Sequence, residues 1–176
     1  MEANTILDHT LDVFDRCKKN GYDFATAVAC LLHDCGKTIT PDSVYEPKHQ
    51  HIGHDFRGGD IIDGILDGFR FDGHTMSITR KAVKFHMRFH DLTKMRTCKL
   101  IEFHEKVGKN DFEAVARVAN CDHPFDEEQL KVLKALKTAF AARVVLPEGL
   151  KDTLKIKEFV KKFRVDTYNK AISETT

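Results

Sequence analysis

The nine residues Phe24-Ala-Thr-Ala-Val-Ala-Cys-Leu-Leu32 are apolar on nearly every side, and His33-Asp34 follows at once. A helix that is apolar all round has to be enclosed by other elements. This run is the longest apolar stretch, is broken by Thr26, and is far too short to span a membrane. It therefore predicts a buried central helix, with Asp23 as N-cap and Gly36 closing it and letting the chain turn. A polar pair at the end of such a helix is costly to bury without partners. A metal ion is one such partner, because it neutralises the carboxylate and takes the imidazole lone pair. An adjacent His and Asp at a helix terminus can both reach one ion.

The rest of the chain repeats its apolar residues at helical spacing, beginning with Ile6, Leu7, Leu11, Val13, Phe14 and Cys17. Helices are predicted over residues 5–19, 24–33, 54–66, 75–90, 98–107, 112–120, 127–142 and 154–172. A loop is expected over 38–53, where Pro41 and Pro47 fall. No stretch alternates as a strand would, and Val144-Val145-Leu146 is too short to carry a sheet. The expected architecture is an all-α helical bundle with short connections. Residues 1–145 read as one domain. Beyond the break at Pro147 and Gly149, residues 146–176 read as a C-terminal helical extension packed on or following it. That last helix is amphipathic and basic, with 7 Lys/Arg against 4 Asp/Glu from Gly149 onward.

Charge narrows the function classes. Lys and Arg total 28 against 27 Asp and Glu, so the molecule has no overall field for nucleic acid, although a local basic patch remains open. The five cysteines, Cys17, Cys30, Cys35, Cys98 and Cys121, contain no Cys-x-x-Cys pair, which excludes a zinc ribbon or thioredoxin-type motif. Reduced thiols, the absence of a signal-peptide core and the absence of a membrane span lead to the expectation of a cytoplasmic protein. The unusual count is 10 histidines, seven of them between His33 and His90.

Two distant residues extend the His33-Asp34 pair. His9 lies on the Ile6 and Val13 side of the first helix, and Asp122 ends the helix of Val115, Val118 and Ala119. Taken alone, His9 is more often a satisfied core histidine and Asp122 a capping or solvated carboxylate. Taken together, the set offers two imidazoles and two carboxylates.

The order of His9, His33-Asp34 with Gly36 and Lys37, and a distant Asp122 resembles the HD superfamily of metal-dependent phosphohydrolases. The segments His9-Thr10-Leu11, His33-Asp34-Cys35-Gly36-Lys37, Thr40-Pro41, His49-Gln50-His51-Ile52-Gly53-His54, Phe85-His86-Met87 and Phe89-His90-Asp91-Leu92 are similar to the C-terminal HD domain of bacterial tRNA nucleotidyltransferases, the CCA-adding enzymes. The resemblance runs from about His9 to Phe140. It implies an HD-domain bundle in which His9, His33, Asp34 and Asp122 are the metal ligands. It also implies that His54, with Gly58 four residues on, and His86 are candidates for a second ion. His90, one turn after His86, would face the same side. His49 and His51 are candidates for phosphate contact. No paired-carboxylate motif or Gly-Ser signature of a nucleotidyltransferase domain is present, so nucleotide addition is not expected of this chain.

Imidazole and carboxylate ligands suit one or two ions of Mn, Fe, Co, Ni or Mg per chain. In this reading Asp34 is both ligand and catalytic group. Lys37 adds positive charge where phosphoryl charge accumulates, or else forms a salt bridge at the helix end. Arg57 and Arg88 either clamp phosphate or are surface charges. The expected substrate is a nucleotide or RNA-end phosphoester, a 2′,3′-cyclic phosphodiester or a phosphomonoester. The alternatives are a 5′-nucleotidase, a signalling-nucleotide hydrolase, or a non-catalytic RNA-binding module that uses the basic last helix. The sequence says nothing of oligomeric state.

Overall fold

A computed structural model of the chain describes residues 5–40 and 51–174. Among these residues there are eight α-helices and no strand: α1 (Ile6–Lys19), α2 (Phe24–Leu32), α3 (His54–Asp67), α4 (Gly73–His90), α5 (Thr97–Val107), α6 (Phe112–Asp122), α7 (Glu127–Ala141) and α8 (Thr153–Ser173). A 3-10 turn, Cys35–Thr38, follows α2. The expected all-α fold is found, and every predicted helix is present within two residues at each end. Side-chain caps set several starts. Thr5 and Asp8 form a capping box at α1, Asp23 accepts from the Thr26 amide, and Asp126 with Gln129 boxes α7. Among the described residues no helix is long and apolar enough to cross a membrane.

The chain divides into two compact units, Met1–His90 with Asn110–Pro124, and Asp91–Lys109 with Phe125–Thr176. The expectation of a 1–145 domain and a 146–176 extension follows chain order. The units do not, since α8 shares its unit with α5 and α7. In the first unit α2 packs against α1, α4 and α6, and α3 packs against α4 and the 3-10 turn. Ala25, Thr26, Val28, Ala29 and Cys30 of α2 are buried, but Phe24 and Leu31 are exposed, so the central helix is covered on three sides and not all round. In the second unit α8 packs on α5 and α7. Its amphipathic face is shallow, with Tyr168 its one buried residue. Lys161 pairs with Glu102 at 2.6 Å, and the Arg164 guanidinium lies over the Phe140 ring at 4.2 Å.

One expectation is corrected. Gly36 does not close α2 through a left-handed conformation: α2 ends at Leu32 with His33 still helical, and Gly36 lies inside the 3-10 turn without a positive φ. Its requirement is contact. A Cβ at Gly36 would lie 1.9 Å from the His54 carbonyl oxygen and 2.6 Å from the Gly58 amide nitrogen. A Cβ at Gly58 would lie 2.7 Å from the Val83 side chain. Two glycines thus let the 3-10 turn touch α3 backbone to backbone, which sets His54 beside Asp34.

Gly36→Ala should cost about 1–3 kcal/mol, because backbone atoms rather than a pliable side chain stand in the way. Thermal unfolding should shift down by about 2–10 °C. Gly64→Ala, also helical but with nothing within 4 Å, should leave the midpoint unchanged or raise it by a few degrees, through about 0.5–1 kcal/mol of helix propensity. Equal midpoints for the two variants would contradict the close-contact role.

His104 is buried in the second unit with its ring stacked on Phe140, 3.5 Å between centroids. Burial, and then the charge of Arg164, pull it down from 6.5 to about 4. The unfolded chain therefore takes up this proton near pH 6.5 and the folded chain only near 4. The residue's contribution is full above pH 6.5 and is lost as pH falls toward 4. Melting profiles of His104→Phe should gain on the native protein between pH 7 and 4.5; parallel profiles would contradict this.

Candidate metal centre

Seven polar side chains meet at the inner ends of the helices of the first unit. His9 comes from α1, His33 from the C-terminus of α2, and Asp34 from the residue after it. His54 opens α3, His86 and His90 lie in the last turns of α4, and Asp122 is the last residue of α6. Asp34 is at the middle, 3% exposed. Its Oδ2 is 3.2 Å from His33 Nε2 and 3.3 Å from His9 Nε2; its Oδ1 is 3.1 Å from His54 Nε2 and 3.5 Å from His86 Nε2. Asp122 Oδ1 lies 3.1 Å from His9 Nε2 and 3.8 Å from His33 Nε2. The ligand-type atoms of His9, His33 and Asp122, and those of His33, Asp34 and His86, each form a set within 4.8 Å.

The backbone orients the rings. His33 Nδ1 lies 2.8 Å from the Cys30 carbonyl oxygen, His54 Nδ1 2.8 Å from that of His51, and His86 Nδ1 2.9 Å from that of Ala82. Each Nδ1–H donating to a carbonyl leaves the Nε2 lone pair facing inward, the tautomer an ion requires. His9 Nε2, His33 Nε2 and Asp34 Oδ1 are buried and make no hydrogen bond. Lone pairs thus crowd one another, which is costly unless a cation, whether a proton on His9 or a metal ion, lies among them. The residues present fit a divalent ion.

The carboxylates that suit a metal ion also favour a proton on the imidazoles beside them. The carboxylates of Asp122 and then Asp34 raise His9 to about 9. Burial opposes charge on Asp34, but His33, His54, His86 and His9 outweigh it and hold the carboxyl well below the usual range. Burial likewise opposes Asp122, and His9 and His90 hold it low. Burial also works against the charged form of His54, yet Asp34 raises it on balance. His86 goes the other way, because its burial dominates and favours the neutral ring.

The other candidate residues separate. His90 Nε2 is 3.0 Å from Asp122 Oδ2, so the structure groups it with Asp122 and not with the His54–His86 pair, whose Nε2 atoms are 3.3 Å apart. Four residues advance a helix by about 6 Å, which carries His90 past His86 toward the end of α6. Lys37 Nζ sits 2.5 Å from Asp34 Oδ2. His51 is half-buried with Nδ1 3.0 Å from the Thr40 carbonyl oxygen, and it serves the site through the carbonyl that holds His54. Arg57 and Arg88 are exposed, and neither is paired with a site carboxylate among the described residues. His49 lies outside the described residues.

The sequence gives no sign of Arg16. Its Nε donates to the Cys121 carbonyl and its Nη2 to the Asp122 carbonyl at 3.1 Å. It thereby ties α1 to the C-terminus of α6, where carbonyls lack helical partners, and holds Asp122 opposite His9. Only an unremarkable basic residue in the last turn of α1 marks it in the sequence.

The chain matches the family model described as HD domain over residues 6–139. Among curated proteins it is 26% identical over 158 residues to a multifunctional CCA protein of Pseudomonas aeruginosa, covering 81% of this chain and 38% of the relative. It is 25% identical over 179 residues to a multifunctional CCA protein of Burkholderia orbicola, covering 94% of this chain and 43% of the relative. The chain thus spans less than half the length of these relatives. No solved structure matches at comparable stringency.

Asp34→Ala removes the carboxylate on which four imidazoles converge, and the metal content of protein reconstituted with Mn or Fe should fall to background. Arg16→Met should keep the helical content but weaken metal binding by about 10–100-fold, the usual cost of losing a group that orients a ligand. Native stoichiometry in Asp34→Ala, or native affinity in Arg16→Met, would refute the respective assignment.

Proposed function

Since the chain belongs to the HD domain family, we propose that it is a metal-dependent phosphohydrolase acting on nucleotide or RNA-end phosphoesters. The single observation that carries this reading is the convergence of His9 Nε2, His33 Nε2 and Asp34 Oδ1, buried and without a hydrogen-bond partner, beside Asp122. In this reading His9, His33, Asp34 and Asp122 hold a divalent ion. The two oxygens of Asp34 face different imidazole groups, His9 with His33 and His54 with His86, an arrangement that supports a second ion on the latter side. The bound ion supplies Lewis acidity toward a phosphoryl oxygen and lowers the pKa of water.

The chain's own residues do the remainder. Asp34, held ionised by its neighbours, orients the attacking water by accepting a hydrogen bond from it. Lys37, partly exposed beside Asp34, presents its ammonium to the phosphoryl oxygens as negative charge builds. His90, hydrogen-bonded to Asp122, keeps that carboxylate aimed at His9. The resemblance of the His and Asp segments to the HD domain of the CCA-adding enzymes supports an RNA end over a free nucleotide, as a 2′,3′-cyclic phosphodiester or a phosphomonoester. A binding-only role through α8 has less support, because Lys161 and Arg164 are already engaged with Glu102 and Phe140.

The test is hydrolysis of 2′,3′-cyclic nucleotides, 3′- and 5′-monophosphates and RNA ends across a panel of divalent ions. Lys37 donates no lone pair to a metal. Lys37→Met should therefore retain metal and fold but lose about a hundredfold or more in turnover. Full turnover would reduce Lys37 to a helix-end charge. No cleavage of any phosphoester with any ion, together with RNA binding of steep salt dependence, would overturn the enzymatic reading.

A further inference from the structure

Three thiols that play no part in the proposed chemistry meet behind the His and Asp cluster. Cys17 comes from α1, Cys30 from α2 and Cys121 from α6, exposed by 0%, 0% and 1% respectively. Their sulfur atoms all lie within 4.8 Å of one another. No two are near in sequence, so the convergence belongs to the packing of three helices. We infer that Cys17, Cys30 and Cys121 form a second, trigonal site for a thiophilic divalent metal ion, chemically distinct from the His and Asp centre.

The geometry is close to what such an ion needs. Metal–sulfur bonds of about 2.3 Å in a trigonal plane place the sulfurs about 4.0 Å apart. The three therefore need to close by less than an ångström. Thiolate donors select soft ions, whereas imidazole and carboxylate select harder ones, so the two sites sort metals by chemistry. Binding releases three protons to solvent, and three thiolates with a divalent ion carry one net negative charge. Arg16, whose guanidinium donates to the Cys121 carbonyl, lies beside the site to offset it.

Each thiol is also tied to one member of the His and Asp cluster. Cys17 shares α1 with His9, the Cys30 carbonyl lies 2.8 Å from His33 Nδ1, and Cys121 directly precedes Asp122. An ion drawing the three sulfurs together pulls on the three helices that position those ligands. The inference stands on the thiol geometry and holds whether or not the chain hydrolyses phosphoesters.

Cadmium is the probe, because thiolate ligation of Cd produces an ultraviolet charge-transfer band that imidazole and carboxylate ligation do not. The full-length reduced protein titrated with Cd should develop this band to saturation at one thiolate-bound ion per chain, with proton release. Cys30→Ala should abolish it, whereas Cys98→Ser in the second unit should leave it intact. X-ray absorption of the native protein at one Cd per chain should show sulfur in the first coordination shell, a readout that does not depend on any variant folding. A titration without the band, a band that survives Cys30→Ala in folded protein, or a first shell of nitrogen and oxygen alone would overturn the site. The three cysteines would then be small core residues and nothing more.

Discussion

The first unit is organised around one buried carboxylate. Asp34 has four imidazoles and an ammonium within 3.5 Å. Burying a carboxylate is expensive unless its charge is met, and here the Lys37 ammonium lies against it while imidazoles converge on it from four elements at once. Each helix that contributes a ring must end or pass near the same point. The bundle is thus constrained by polar convergence at its centre as well as by apolar packing around it.

Backbone atoms do much of the positioning. The carbonyls of Cys30, His51 and Ala82 fix three ring tautomers, and those of Cys121 and Asp122 are gripped by Arg16. The contact between Gly36 and Gly58 brings a turn and a helix closer than any side chain would permit. None of these groups is a candidate ligand. They hold the candidate ligands in register, which a metal centre needs as much as the ligands themselves.

The second unit is held by different physics. Glu102 is shared by Lys99 and Lys161, and Arg164, Phe140 and His104 stack in sequence. Charges that look in the sequence like a free basic face are partly consumed in packing α8 onto α5 and α7. A charge run read from sequence counts residues, whereas a binding face depends on which of them remain unpaired.

The sequence by itself determined the helical class, the approximate bounds of eight helices and the identity of most polar residues at the centre. Apolar period and capping chemistry are local properties, and His33-Asp34 at the end of an apolar helix is a local anomaly. Tertiary structure decided the rest. Whether His90 joins His86 or Asp122 depends on where α6 ends. Gly36 acts through an atom of His54, eighteen residues away in the chain, and Arg16 acts on carbonyls more than a hundred residues distant. The three cysteines, read from spacing, looked like unrelated reduced thiols, and only the packing of α1, α2 and α6 puts them together. Sequence encodes local periodicity directly, but it encodes proximity between distant residues only through the sum of packing constraints, and that sum is visible only in the folded chain.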